Sequence, residues 1–296
     1  MAFAAPLPTV AARPRSRLWG VPIYWHLLSL DAPTVAVLWA WSFARAARLR
    51  IPLIAIAVLG VGTWLIYVAD RLLDVRSPAH PALRERHFFH ARHSRMLLFA
   101  SPVAGALLLG LIAIMPSAAR RDDTILFAIS MLYFAGVHLP ALRGRRWFPR
   151  EVAVGILFAL ASAVPAWSEP ASPHAQRARL VLLFAGLCTL NCIAIEAWER
   201  SANVVGSIAV PGIAVCAAVE SAVLLLIRGT QTTREFEICG AVFASAVLLF
   251  MLDGLHHRWS QRGSVPEGHT RFLLALRVAA DAALLTPIFL VFAWHL

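Results

Sequence analysis

The sequence predicts an all-α, polytopic membrane protein with nine transmembrane helices. Three observations carry that reading. Hydrophobic residues make up 59% of the 296 and charged residues 15%, with a mean hydropathy of +0.70. Soluble domains carry about 25% charged residues and cannot hide this much apolar surface in one core. The apolar residues also gather into runs near the length, about 20 residues, that crosses a bilayer as helix. Finally, the net charge of +11 comes from 27 basic residues, all Arg, most of them between the runs. That is the pattern of basic loops at a membrane face rather than of a soluble nucleic-acid binder. Secreted disulfide scaffolds and disordered chains are excluded by the same composition.

Residues 1–18 contain Pro6, Pro8, Pro14, Arg13, Arg15 and Arg17 but no apolar core followed by a cleavage site, so they read as a flexible N-terminal tail. Residues 19–296 read as a single integral membrane helical domain. Its runs fall at 24–45, 51–73, 96–117, 124–142, 150–168, 178–199, 203–228, 235–256 and 271–294. Pro165, Pro211 and Pro287 interrupt three of them. Such breaks are tolerated where neighbouring helices or water satisfy the freed backbone.

Loop charge sets the orientation. Arg71, Arg76, Arg84, Arg86, Arg92 and Arg95 follow the second run, and Arg143, Arg145, Arg146 and Arg150 follow the fourth. With the tail, these outweigh the arginines on the other side. The positive-inside rule then puts the N-terminus in the cytoplasm and the C-terminus outside, in a cell inner membrane. Trp19, Trp25, Trp147, Trp167, Trp198, Trp259 and Trp294 fall near run ends, as an interfacial aromatic belt requires. Cys188, Cys192, Cys216 and Cys239 all lie within apolar runs, with no zinc or CxxC spacing, and read as small core residues.

Carboxylates inside or beside a span are expensive and mark function by default. Asp70 and Asp74 stand one helical turn apart at the end of the second run. Two carboxylates side by side repel, and a divalent cation between them removes that cost. Mg²⁺ prefers oxygen ligands and often bridges carboxylates to phosphates. The arginines that follow supply forked donors. The pair and the Arg cluster together point to a Mg²⁺–diphosphate site; the bland alternative is pairing of the aspartates with Arg71 and Arg76. Asn191, Glu196 and Glu199 form a second oxygen-ligand group at the end of the sixth run, with pairing to Arg200 as its alternative. Asn191, Ala194, Ile195 and Trp198 share one stripe, and Glu196 and Glu199 an adjacent one.

Other polar residues have local explanations. His87, His90 and His93 are spaced three and three, which drifts around a helix and suits a basic interfacial loop better than one metal ion. Arg277 with Asp281, and Asp253 with His257, have the spacing of intrahelical pairs. Glu220 has no local partner; Arg277 is a candidate across helices, which the sequence does not decide. Asp31, followed by Pro33, reads as a helix cap.

These motifs resemble the UbiA superfamily of intramembrane prenyltransferases. Its first Asp-rich motif, Asn-x₃-Asp-x₃-Asp, corresponds to Ile66, Asp70 and Asp74, so both aspartates match and the Asn does not. An Arg-rich loop follows in the family, matched by Arg76, Arg84 and Arg86. The Tyr-Pro-x-x-Lys-Arg segment after helix four corresponds to Leu139, Pro140, Arg143 and Gly144, and a Gly-bearing helix next corresponds to Gly155. The second Asp-rich motif aligns Asn191 with its first Asp and Glu196 and Glu199 near its later ones. The motifs span about residues 66–200, and the helix count spans most of the chain.

The resemblance implies a UbiA-like helical bundle whose site opens near the cytoplasmic face. It implies transfer of a polyprenyl group from its diphosphate to a small acceptor, aromatic compounds among the candidates, with Mg²⁺ as cofactor. Asp70 and Asp74 would be the catalytic, metal-holding pair, with Asn191, Glu196 and Glu199 as further metal ligands. Arg71, Arg76, Arg84, Arg86 and Arg143 would bind the diphosphate. Partners are then a prenyl diphosphate, an acceptor and the bilayer, with no nucleic acid. The alternative is a noncatalytic isoprenoid- or lipid-binding protein on the same scaffold; a transporter would instead put Glu220, Arg277 and Asp281 on one ion path.

Overall fold

A computed structural model describes residues 17–76, 85–138, 149–167, 174–200, 209–226, 233–261 and 266–292. Every regular element among them is an α-helix, and each of the nine apolar runs overlaps at least one. In chain order they are α1 (Arg17–Leu27), α2 (Asp31–Ala46), α3 (Leu53–Arg76), α4 (Glu85–Arg92), α5 (Ser94–Ala113) and α6 (Ser117–His138). Then come α7 (Arg150–Trp167), α8 (His174–Arg200), α9 (Ala209–Leu226), α10 (Thr233–Ser260), α11 (Pro266–Ala283) and α12 (Pro287–Phe292).

Among the described residues, 4 helices are long and apolar enough to cross a membrane: Leu53–Asp74, Ser94–Ala113, Ala178–Glu199 and Glu235–Ser260. Gly20–Leu27 and Asp31–Ala46 meet the same test together but are bent by 88°, so the count reaches 5 if that pair is one span. A shorter apolar helix covers Val210–Val223. The chain is a helical, membrane-embedded protein.

The bend between α1 and α2 has a backbone cause. Ser29 sits at φ 59°, in the left-handed region. Its N–H donates to the His26 carbonyl at 3.0 Å, and the Leu30 N–H reaches back to Trp25 at 3.0 Å. These paired bonds are the glycine-type helix stop, formed here by serine at a cost of about 1–3 kcal/mol. Arg48 (φ 59°) ends α2 the same way, with Leu49 N–H on the Ala44 carbonyl at 2.8 Å.

The last run breaks at Pro287. Ile288 N–H turns to the Leu285 carbonyl, which frees the Leu284 carbonyl, and Trp39 Nε1–H donates to it at 2.9 Å. A buried backbone acceptor is thereby satisfied from another helix.

The core is centred on α8. Of its apolar window, 61% is buried, against 11% for α5. Trp39 of α2 stacks on Phe184 of α8 at 4.1 Å, with Phe43 edge-on at 5.8 Å. α7 lies against α8 through Gly155: a Cβ there would stand 2.7 Å from the Thr189 backbone N and overlap the Thr189 hydroxyl. Only glycine permits that approach. By contrast α5 and α6 expose Phe99, Val103, Leu109, Ile125 and Leu132. Apolar residues on nearly every face of α5 make sense against lipid, not water.

Candidate functional site

α3 carries the first acidic pair to the end of its span, where its neighbour is the start of α7. Asp70 Oδ1 lies 3.5 Å from Arg150 Nη2, both side chains being half-buried. Asp74, and Glu196 on α8, also act electrostatically on Arg150. Tyr133 of α6 closes the group: its hydroxyl donates to the Arg150 carbonyl at 3.4 Å. Asp70 is thus the carboxylate in contact with this guanidinium, and Asp74 and Glu196, from the two helices that hold the acidic motifs, lie within its electrostatic reach. The 3.5 Å contact is loose beside the 2.7–2.9 Å of a tight charge-assisted bond. Arg150 therefore offsets the Asp70 charge through a loose contact.

Arg71, next in sequence to Asp70, faces elsewhere. It is 5% exposed, donates from Nη1 to the His26 carbonyl at 3.0 Å and lies 3.6 Å from Asp31 Oδ2. The alternative pairing of the aspartates with Arg71 does not form, and Arg71, expected among the diphosphate ligands, is turned to His26 and Asp31 instead; a step of one residue turns a helical side chain by about 100°. Asp31 is not the cap that its position suggested: Leu30 stands there without a side-chain capping bond, and Asp31 is the first residue of α2. It is 4% exposed and pairs with His26 Nδ1 at 2.7 Å as well as with Arg71.

The second motif divides in the same way. Asn191, Ala194, Ile195 and Trp198 are all buried, as one stripe requires, while Glu196 is half-buried. Asn191 Nδ2–H donates to Asp281 Oδ1 at 3.2 Å, which puts it with the Asp31 group and not with Asp70. Glu199 is held by Arg277 at 2.6 Å. Of the five proposed metal ligands, three share a neighbourhood: Asp70, Asp74 and Glu196.

The expected intrahelical pairs give way to tertiary ones. Arg277 goes to Glu199, Asp281 goes to His26 at 3.1 Å, and Asp253 accepts from Trp198 Nε1–H at 2.8 Å. Glu220 is exposed on α9, and Arg277 faces α8, so the three residues of the transporter reading do not meet. His90 is buried against the Ser29 hydroxyl at 3.3 Å, whereas His93 Nδ1 contacts the Phe89 carbonyl at 2.9 Å. His90 and His93 thus have different partners, and the His87 side chain lies outside the described residues.

Arg84, Arg143, Leu139 and Pro140 lie outside the described residues, as does the tail through residue 16. Arg76 and Arg86 sit on the described backbone of α3 and α4, their side chains outside it. Sequence reasoning counted Arg150 only as a loop charge; its place at the first turn of a helix on the Arg-rich side was the available signal. His26 went unremarked although it is a titratable residue inside an apolar run.

No protein-family profile, curated protein or solved structure matches the chain.

Proposed function

We propose that the chain is a UbiA-like prenyltransferase, with nine spans, its N-terminus in the cytoplasm and its C-terminus outside a cell inner membrane. It transfers a polyprenyl group from its diphosphate to a small acceptor. The observation that carries the proposal is the 3.5 Å contact of Asp70 with Arg150 at the end of α3, with Asp74 and Glu196 within electrostatic reach of the same guanidinium.

The donor set fits Mg²⁺. Three half-buried carboxylates offer hard oxygen ligands, and their partial exposure leaves room for the waters that Mg²⁺ retains. The ion would supply charge stabilisation to the departing diphosphate. Arg150 then binds phosphate oxygens by its fork, exchanging a loose carboxylate contact for a bidentate one. The allylic C–O bond breaks with its electron pair leaving on the diphosphate. The acceptor's nucleophilic atom bonds to the allylic carbon and gives up its proton. Apolar surroundings keep water from the cationic carbon.

A second reading, binding of an isoprenoid or lipid without turnover, is favoured by the pairing of Asp70 with Arg150, since these charges offset one another without a metal. The deciding experiment incubates the purified protein and an acceptor mixture with radiolabelled prenyl diphosphates of several lengths, with and without Mg²⁺. Mg²⁺-dependent pyrophosphate release supports transfer. Binding of the diphosphates with no release at any length overturns it in favour of the second reading.

A further inference from the structure

At the bend between α1 and α2 lies a polar group that prenyl transfer does not use. His26 is fully buried, and its Nδ1 stands 2.7 Å from Asp31 Oδ2 and 3.1 Å from Asp281 Oδ2. A ring nitrogen carries at most one proton, so it serves one carboxylate well and the other poorly. Arg71 gives its closer bond to a carbonyl and stands 3.6 Å from Asp31. Two carboxylates stand against one guanidinium at a place where the Asp31 side chain is 5% and that of Asp281 16% exposed, an acidic excess that is costly unless a cation compensates it.

A second observation comes from another helix. Asn191, on α8, is 7% exposed, and its amide head is held at the cluster by the 3.2 Å bond to Asp281. Its Oδ1 is buried with no hydrogen-bond partner, and so is His26 Nε2. An orphaned buried acceptor costs about 1–3 kcal/mol. An amide oxygen left unpaired on a head group fixed to Asp281 is explained by a cation that it and that carboxylate both ligate.

We propose that His26, Asp31 and Asp281, with Asn191 Oδ1 as fourth donor, bind a divalent first-row metal ion of the Zn²⁺ class. The three side chains bring their ligand atoms within 4.8 Å of one another. Four-coordinate Zn²⁺ with bonds of about 2.0–2.2 Å sets its ligand atoms roughly 3.4 Å apart, so the observed contacts need to open by less than about 1 Å. The imidazole nitrogen selects against Mg²⁺, which takes oxygen ligands and keeps its waters. With four protein donors and little exposure, the site is structural. It ties α1, α2, α8 and α11 together where the first span is broken. The inference is independent of prenyl transfer.

The test is metal content. Tag-free protein in detergent is stripped with a chelator, reloaded with Zn²⁺, desalted and analysed by elemental mass spectrometry and thermal melting. The wild type should retain about one equivalent of Zn²⁺ and melt at a higher temperature with it. Asp281→Asn and His26→Gln should lose that equivalent, and Asp70→Asn should keep it. Equal retention in wild type and Asp281→Asn overturns the proposal. So does a normally melting wild type that retains nothing. Should the variants fail to fold, Co²⁺ loaded into the wild type decides: intense visible d–d bands of a low-coordinate site support the proposal, and their absence overturns it.

Discussion

Asp70 and Arg71 are consecutive on α3 and belong to different sites. Asp70 meets Arg150 at 3.5 Å, while Arg71 is buried against Asp31 at 3.6 Å and the His26 carbonyl at 3.0 Å. One helix thereby separates two charge systems, with opposite consequences for mutation.

Arg71→Ala should act on stability. It strips a buried carboxylate of its guanidinium, and breaking a buried pair costs about 3–5 kcal/mol. The expected result is a large fall in melting temperature in detergent. An unchanged melt would mean that Arg71 does not hold Asp31.

Arg150→Ala should act on substrate. The side chain is half-buried and its contact with Asp70 is loose, so the melt should move little. KM for a prenyl diphosphate should rise about tenfold or more, with Arg150→Lys restoring part of it as a point charge without the fork. Steady-state kinetics at saturating acceptor measures this.

Asp70→Asn should lower Mg²⁺-dependent pyrophosphate release by about 10²–10³-fold, the range seen when one electrostatic contributor to a transition state is removed. Chelation of Mg²⁺ should do the same to the wild type. Glu199→Gln should spare turnover by comparison, since Glu199 is engaged by Arg277. Equal losses in Asp70→Asn and Glu199→Gln would contradict the division of the two motifs.

Gly155→Ala should destabilise the α7–α8 contact. The added methyl meets the Thr189 backbone, which cannot swing aside as a side chain would. Overpacking of this kind costs about 1–3 kcal/mol. Thr189→Ala in the same chain should not rescue it, because the backbone N remains 2.7 Å from the new Cβ. Paired melts of the single and double variants check this.

His90 should make stability depend on pH. Burial first, then the Arg71 guanidinium, with His26 and His93 adding to it, pulls His90 from 6.5 to about 4 against partial opposition from Asp31. The folded state therefore keeps this imidazole neutral over a range where the unfolded state binds a proton. Its contribution is fully present above pH 6.5, is lost progressively as pH falls toward about 4, and levels off below that. A melting series across this window should show a falling wild-type curve and a flatter one for His90→Gln.

The sequence by itself determined the helical, membrane-embedded character, because apolar run length and loop charge are local properties that lipid reads one segment at a time. It also determined the one-turn spacing of Asp70 and Asp74 and the buried stripe through Asn191, Ala194, Ile195 and Trp198, since helical period alone decides which residues share a face. Only the tertiary structure decided the partners. Arg277 and Asp281 satisfy every local rule for pairing, yet each bonds to another helix. Asn191 stands five residues before Glu196 and serves a different cluster. Ion pairing falls off with distance in space, not along the chain, and the 88° bend at Ser29 brings His26 and Asp31 to meet α11. No local pattern predicts a left-handed serine, so the cluster that it builds was invisible until the helices were packed.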